Sequence, residues 1–503
     1  MKSPINLTSL YLFIPDNHPP KNQKKCGVCI FFSKKGGDLG GKIHEWRHTF
    51  MKKLTSFTLS LILLIALFSG CNKKSTPDPD NPVMLTMWHV YGSQTKSPLN
   101  LAIDKFNNTV GKEKGIIVNV VSVTSSSAID KALSDAANDE PGAEELPDLF
   151  TAYPRVAELV GKERLLSWND YFSKTELSGY KKEFLEEGYF GDRLLMLPVA
   201  KSSEVFYLNK TLFDKFSAMT SCKIEDLSSF DGLFKTANLY YDLTNQQNFM
   251  QINDLYHYAL IGMQENDAEF IKNGNLNLSD PMFEAVWRPL AKCAIYGGIC
   301  LDDGYAASRW KTAEVISNIG STADVLYQPD KVIYADNSTE NIQAISMPYP
   351  TFTKKTGASV HRGGGLFAIK SEDERKNHAA YIFAKWITED ENNLEFVTNA
   401  GYLPVKDTAF EKLFADESII KNENYRSMYQ SVQTMVKDYS LYALPLFDGA
   451  SEIQHKFEEN ARLILKTNHM QYEKRVLSGE NKESVLNELT EHSLSEIRSL
   501  SAK

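Results

Sequence analysis

The chain has 503 residues, 42% of them hydrophobic and 11% aromatic, with 55 Lys and Arg against 64 Asp and Glu for a formal charge of −9. That length can bury a sizeable core and suggests two domains, while the acidic balance excludes a nucleic-acid-binding footprint. Beyond Gly70 the imbalance deepens to 45 basic and 61 acidic residues, and after Cys71 only Cys222, Cys293 and Cys300 remain. A fold that depends on a disulfide framework is therefore excluded. Whether Cys293 pairs with Cys300 in an oxidising compartment stays open.

In chain order, the first informative stretch is Met51 to Cys71. Lys52 and Lys53 form a charged start, an apolar run follows, and Ser69-Gly70 precede Cys71, which is the anatomy of a secretory signal. The cysteine directly after Ser-Gly resembles a bacterial lipobox, which implies cleavage before Cys71 and a lipid on that residue. A transmembrane anchor is the rival reading. The run from Leu54 to Phe68 is shorter than the ~20 apolar residues a spanning helix needs, and Thr55, Ser56, Thr58 and Ser60 interrupt it. Because a secretory signal must be N-terminal, residues 1–50 are expected to be a mis-called upstream extension, with Met51 the initiator. The Cys26-Gly27-Val28-Cys29 run within them has no answering Cys or His pair nearby and is discounted as a metal site. Residues 51–70 are then the signal peptide, and 71–83 the lipidated cysteine with a polar, proline-rich, disordered spacer.

From Val83 strands and helices alternate. Met84 to His89 reads as a strand, and Pro98 to Asn107 as a helix with Leu99, Ile103 and Phe106 on one face. Ile116 to Val123 is β-branched enough for a buried parallel strand. A helix carrying Ile129 and Leu133 precedes a short strand over Asp148 to Ala152. Such β-α-β order predicts a parallel sheet with crossover helices, whose ligands collect beyond the carboxyl ends of the strands. Trp88, His89, Tyr91, Thr151 and Tyr153 fall at those ends. The acidic stretch from Asp135 to Glu145 reads as a solvated loop; no metal site or cofactor is expected.

Leu197-Pro198-Val199-Ala200-Lys201-Ser202-Ser203, running on to Tyr207-Leu208-Asn209-Lys210, resembles the linker of the extracellular solute-binding proteins of ATP-driven importers, in the cluster of maltose and glycerol-phosphate binders. Met87-Trp88-His89, Pro147-Asp148-Leu149-Phe150, Arg362-Gly363-Gly364-Gly365-Leu366, Ala380 to Trp386 and Gly401-Tyr402-Leu403-Pro404-Val405 carry the resemblance in the family's order, from about Leu85 to about Leu489. It implies an α/β, two-lobe periplasmic-binding-protein-like fold of type II, each lobe a mostly parallel sheet flanked by helices. The discontinuous lobes would be 84–200 with 344–403, and 201–343 with 404–503, closing about hinge crossings over a solute. It further implies a monomeric receptor, not an enzyme, with ABC permease subunits as partners. The Gly363-Gly364-Gly365 run suits close backbone approach to a ligand; a phosphate-cradling loop is disfavoured because neither Lys-Ser/Thr nor a helix follows.

Residue by residue, the resemblance assigns Ser202, Asn318, Ser321, Gly364 and Tyr402 to the ligand site. The family's phosphate-pairing arginine is absent from Phe447-Asp448-Gly449-Ala450-Ser451, which disfavours a glycerol phosphate, although Arg362, Lys201 or Arg155 could substitute. A neutral sugar or oligosaccharide suits a site of stacking aromatics and polar partners better. Trp88, Tyr91 and Tyr153 join the assigned residues as contacts; Tyr256 and Tyr258 stay undecided, Trp287 and Trp386 read as core, and His89 as ligand contact or satisfied structural histidine. A secreted glycoside hydrolase with paired carboxylates and a surface binding module without a transporter are the other classes. No Gly-x-Ser-x-Gly or His-Glu-x-x-His motif supports an enzyme.

Overall fold

A computed structural model of the chain describes residues 76–91, 97–122, 126–353, 356–420, 422–447 and 449–502. The expected upstream extension, signal segment and lipidated Cys71 lie outside the described residues. Among those described, no helix is long and apolar enough to cross a membrane.

In chain order the principal strands are β1 (Val83–His89), β2 (Ile116–Ser122), β3 (Leu149–Ala152), β4 (Ser202–Asn209), β5 (Met250–Ile252), β6 (Ser317–Ser321), β7 (Ala344–Met347), β8 (Ala358–Arg362), β9 (Gly365–Ala368) and β10 (Ser440–Ala443). They form two sheets. The first has the order β9-β3-β1-β2, and the second the order β10-β8-β4-β6-β5 with β7 also on β4.

The first sheet grows as the periodicity predicts. β1 pairs in parallel with β2 and β3, and the helix Pro98–Asn108 between them buries Leu99, Ile103 and Phe106. Ser97 caps that helix, its hydroxyl accepting from the Asn100 N–H, and Pro98 sits in the first turn where its missing donor costs nothing. β9 closes the other side, antiparallel to β3. One expectation fails: β2 is an edge strand, and Ile117 and Val121 are 40% and 44% exposed. Its β-branched composition reports strand propensity, which does not distinguish an edge from a centre.

The second sheet departs from a mostly parallel pattern. The long, fully buried β4 runs antiparallel to β6, β7 and β8, and only β5–β6 and β8–β10 are parallel. β7 and β8 therefore belong to this sheet, so the chain returns to the first lobe at Gly363–Gly365 instead of near Ala344. The boundary lies where it must: Gly363 has φ +109, a conformation few side chains tolerate, and a Cβ there would lie 3.1 Å from Ala200 O. The spacer also orders earlier than expected. The Asn81 N–H donates to Asp78 O at 2.9 Å, and this turn rests on Gly115, where a side chain would lie 2.3 Å from Asp78 O.

Three crossings meet at one residue. Lys201 and Leu403 exchange both backbone hydrogen bonds, at 3.1 and 2.5 Å. The Lys201 ammonium, fully buried, donates to Gly363 O at 2.9 Å and to Glu187 Oε2 at 2.7 Å. His361 Nδ1 approaches the other Glu187 oxygen at 2.5 Å. Burial alone would raise the Glu187 carboxyl; Lys201 and His361 reverse that and hold it below the usual carboxylate range.

Candidate ligand-binding cleft

A cavity of about 630 Å³ opens where the lobes face each other, a size suited to a small organic ligand. The first lobe contributes Tyr153 and Arg155 just past β3, and Tyr189 and Phe190 from a short hairpin whose turn carries Gly191 at φ +67. The second lobe contributes Tyr256, the segment Leu444 to Phe447, and the start of the helix Ala450–Leu477. His361, Arg362 and Gly363 line the floor at the crossing.

Both arginines are already committed. Arg155 packs over the Tyr153 ring at 5.0 Å and pairs with Asp130 at 2.5 Å. Arg362 Nη1 donates to Glu204 Oε1 at 2.7 Å, and the same oxygen meets His257 Nδ1 at 2.9 Å. Burial pushes the Glu204 carboxyl up, yet His257 and Arg362 together bring it below the ordinary range. The cavity thus presents aromatic faces and fixed, internally neutralised charges, a surface suited to polar rings with apolar C–H faces.

The site residues inferred from sequence divide. Tyr153 lines the cavity. Tyr91 meets Tyr402 edge-on with ring centroids 5.2 Å apart, and burial raises both phenols, each also near Tyr153. Ser202, on β4, pairs with Arg362 of β8 and is 4% exposed. The Ser321 hydroxyl accepts the Ala323 N–H at 3.2 Å, capping the turn that follows. Gly364 is needed by the chain itself, since a side chain there would lie 2.3 Å from Ala152 O. Asn318 is 1% exposed on β6. Trp88 does not line the cavity: it is 5% exposed in a cluster with Ile129, Leu133 and Phe150.

The open histidine resolves as structural. His89 Nδ1 accepts the Tyr91 N–H at 3.1 Å, so Nε2 carries the proton toward Asn100 Oδ1 at 2.7 Å. Burial lowers its pKa, and the neutral ring fixes the backbone of Tyr91. Trp287 is core, its indole donating to Ser493 Oγ, and Tyr256 lines the cavity. Cys222, Cys293 and Cys300 are free thiols. Sequence reasoning missed Tyr189 and Phe190; the available signal was an aromatic pair directly before the Gly191-Asp192 turn.

Two α/β lobes, a chain that crosses between them at three places and an aromatic cleft define a two-lobed receptor for a small solute. Residues 102–425 match the bacterial extracellular solute-binding proteins, and the chain belongs to that family. Its members are solute-binding proteins, not enzymes, that work outside the cytoplasm with ABC-type permeases. Solved structures share the fold. They include the UgpB protein of Mycobacterium tuberculosis in complex with glycerophosphocholine (TM-score 0.60, 15% identity, 84% of this chain and 100% of that one). The cyclic alpha-maltosyl-1,6-maltose binding protein of Arthrobacter globiformis is similar at a TM-score of 0.57 and 14% identity, over 83% of this chain and 100% of that one. Maltose-bound MalE3 of T. maritima aligns at 0.56 and 14%, over 82% and 98%. No individually curated protein sequence matches the chain.

Proposed function

We propose that this protein is a lipid-anchored receptor that captures a neutral sugar or oligosaccharide in its interlobe cleft and delivers it to an ABC-type permease. The observation that carries the reading is the cavity lined by Tyr153, Tyr189, Phe190, Tyr256 and Phe447. Aromatic faces stack on sugar C–H surfaces while neighbouring polar groups take the hydroxyls. The sugar ligands named for the Arthrobacter and T. maritima proteins support the same class.

A glycerol-phosphate type of ligand is the second reading, favoured by the glycerophosphocholine complex and by two arginines at the cleft. It is weaker on electrostatic grounds. A phosphate needs charge-assisted donors, and Arg155 and Arg362 are paired with Asp130 and Glu204. The lipid anchor rests on the Ser69-Gly70-Cys71 run.

A thermal-shift screen over mono- and oligosaccharides, glycerophosphocholine and short peptides tests the ligand class. A ligand bound to the native state stabilises it by ~2.7 kcal/mol at a hundred times its dissociation constant. The expected result is a shift with a neutral saccharide; a response confined to peptides or to glycerophosphocholine would overturn the carbohydrate reading.

A further inference from the structure

Arg362, at the end of β8, and Gln454, on the helix Ala450–Leu477, both line the cavity, and two fully buried side chains connect them. Glu204, on β4, accepts from Arg362 Nη1 and from His257 Nδ1 through one oxygen, at 2.7 and 2.9 Å. His257 Nδ1 carries a proton, because Glu204 and Asp254, the carboxylates facing it at 2.9 and 3.2 Å, only accept. On the far side of the ring, Nε2 lies 3.4 Å from Gln454 Nε2. Asp254 fixes the Gln454 amide. Gln454 Nε2 donates to Asp254 Oδ2 at 3.2 Å, where a carbonyl oxygen would be repelled. Gln454 Oε1 is left without a partner among the described residues.

The frame around these contacts is held from both helices. Asp254 Oδ1 caps the helix Leu255–Glu265 by accepting the His257 N–H at 2.8 Å. Glu458, one turn beyond Gln454, accepts the Leu255 and Tyr256 N–H groups at 2.7 and 3.0 Å. The ion pair neutralises Arg362 without consuming its donors. Only Nη1 is engaged, so the edge formed by Nε–H and Nη2–H has no hydrogen-bond partner among the described residues and keeps access to the cavity. That edge carries two parallel N–H bonds, suited to two adjacent oxygens. A buried carboxylate–imidazole pair adds little net stability over well-packed apolar groups. What it fixes is the direction of the groups it holds.

We propose that Glu204 and His257 are positioning residues that hold Arg362 and Gln454 as a donor and acceptor pair on the cavity wall. Arg362 donates to adjacent hydroxyl oxygens of the saccharide, and Gln454 Oε1 accepts a hydroxyl hydrogen. The inference rests on the carbohydrate reading above and adds the groups that select among saccharides. Vicinal hydroxyls supply both halves of the match, acceptor oxygens and donor hydrogens. A carboxylate supplies acceptors only, which Gln454 Oε1 and the neighbouring Glu204 oppose.

Calorimetric titration of maltotriose, xylotriose, cellotriose, raffinose and trigalacturonic acid into wild type and four variants tests the pair. The variants are Arg362→Lys, Gln454→Leu, Glu204→Gln and the combination of Glu204→Gln with Arg362→Lys. Arg362→Lys, which keeps the charge and loses the paired edge, is expected to bind the preferred neutral saccharide roughly tenfold to a hundredfold more weakly. Gln454→Leu should weaken it by roughly threefold to tenfold, the scale of one neutral hydrogen bond. Glu204→Gln should flatten the preference among the saccharides and add nothing to the loss already caused by Arg362→Lys. Wild-type affinity in Arg362→Lys or Gln454→Leu would overturn the pair, and these two variants decide it if Glu204→Gln does not fold. Additive losses in the combined variant, or equal weakening of every saccharide by Glu204→Gln, would overturn the positioning role. Preferential binding of trigalacturonic acid would give the Arg362 edge to a carboxylate and overturn the inference. Failure of wild type to bind any of these saccharides would overturn the carbohydrate reading, and the pair with it.

Discussion

Trp88 and Tyr153 both belong to strand-end aromatic motifs, yet only Tyr153 lines the cavity. The difference is one of position along the strand. Trp88 pairs with Val121 and Phe150 within the ladder, so its ring is committed to one face of the sheet, whereas Tyr153 lies just beyond β3 and turns into the opening. Side-chain direction alternates with each strand residue, and a motif does not say which face meets the helices. Trp88→Ala is therefore expected to destabilise the fold by ~3–5 kcal/mol, read from urea unfolding. Tyr153→Ala should leave unfolding near wild type and weaken saccharide binding by about tenfold, the scale of one aromatic contact. If Trp88→Ala lost binding and kept its stability, these assignments would have to be exchanged. His89 and Gly364 were legible as special positions but not in their roles, because each serves a partner outside its own motif: Asn100 for the ring, Ala152 for the glycine.

Among the elements, the crossings carry most of the mechanical interest. The linker segments at Lys201, Gly363 and Leu403 were visible as proline and glycine interruptions, while the knot that joins them was not, since Glu187 and His361 come from separate parts of the chain. Replacing Lys201 with Met leaves a buried carboxylate without its main partner, expected to cost ~3–5 kcal/mol. The pH dependence has a definite sign. Glu187 is held below its ordinary range in the fold, so its contribution is present above the unfolded value of about 4.3. It is lost as pH falls through the folded value. Urea midpoints measured from neutral pH down into the acid range should show that loss in wild type and a smaller one in Lys201→Met. Equal acid sensitivity in the two proteins would remove the ion pair from the hinge. The later return to the first lobe, at Gly363, follows from β7 and β8 completing the second sheet on β4. A propensity reading finds such strands without revealing which sheet they join.

At the scale of the whole molecule, the class was legible because the motifs of two lobes occur in a fixed order along the chain, and the family match spans residues 102–425. The lining of the cleft was far less legible, since side chains such as Phe190, Arg362 and Phe447 come together only after three crossings. The excess of acidic over basic residues beyond Gly70 adds no steering toward an anionic ligand. In the proposed function the cleft binds a neutral saccharide reversibly and without turnover. Equilibrium titration of the purified protein with neutral oligosaccharides, followed by chromatography of the recovered ligand, tests it most directly. Saturable one-to-one binding with the saccharide recovered intact is the expected result. No binding of any saccharide, or recovery of cleaved products, would contradict it.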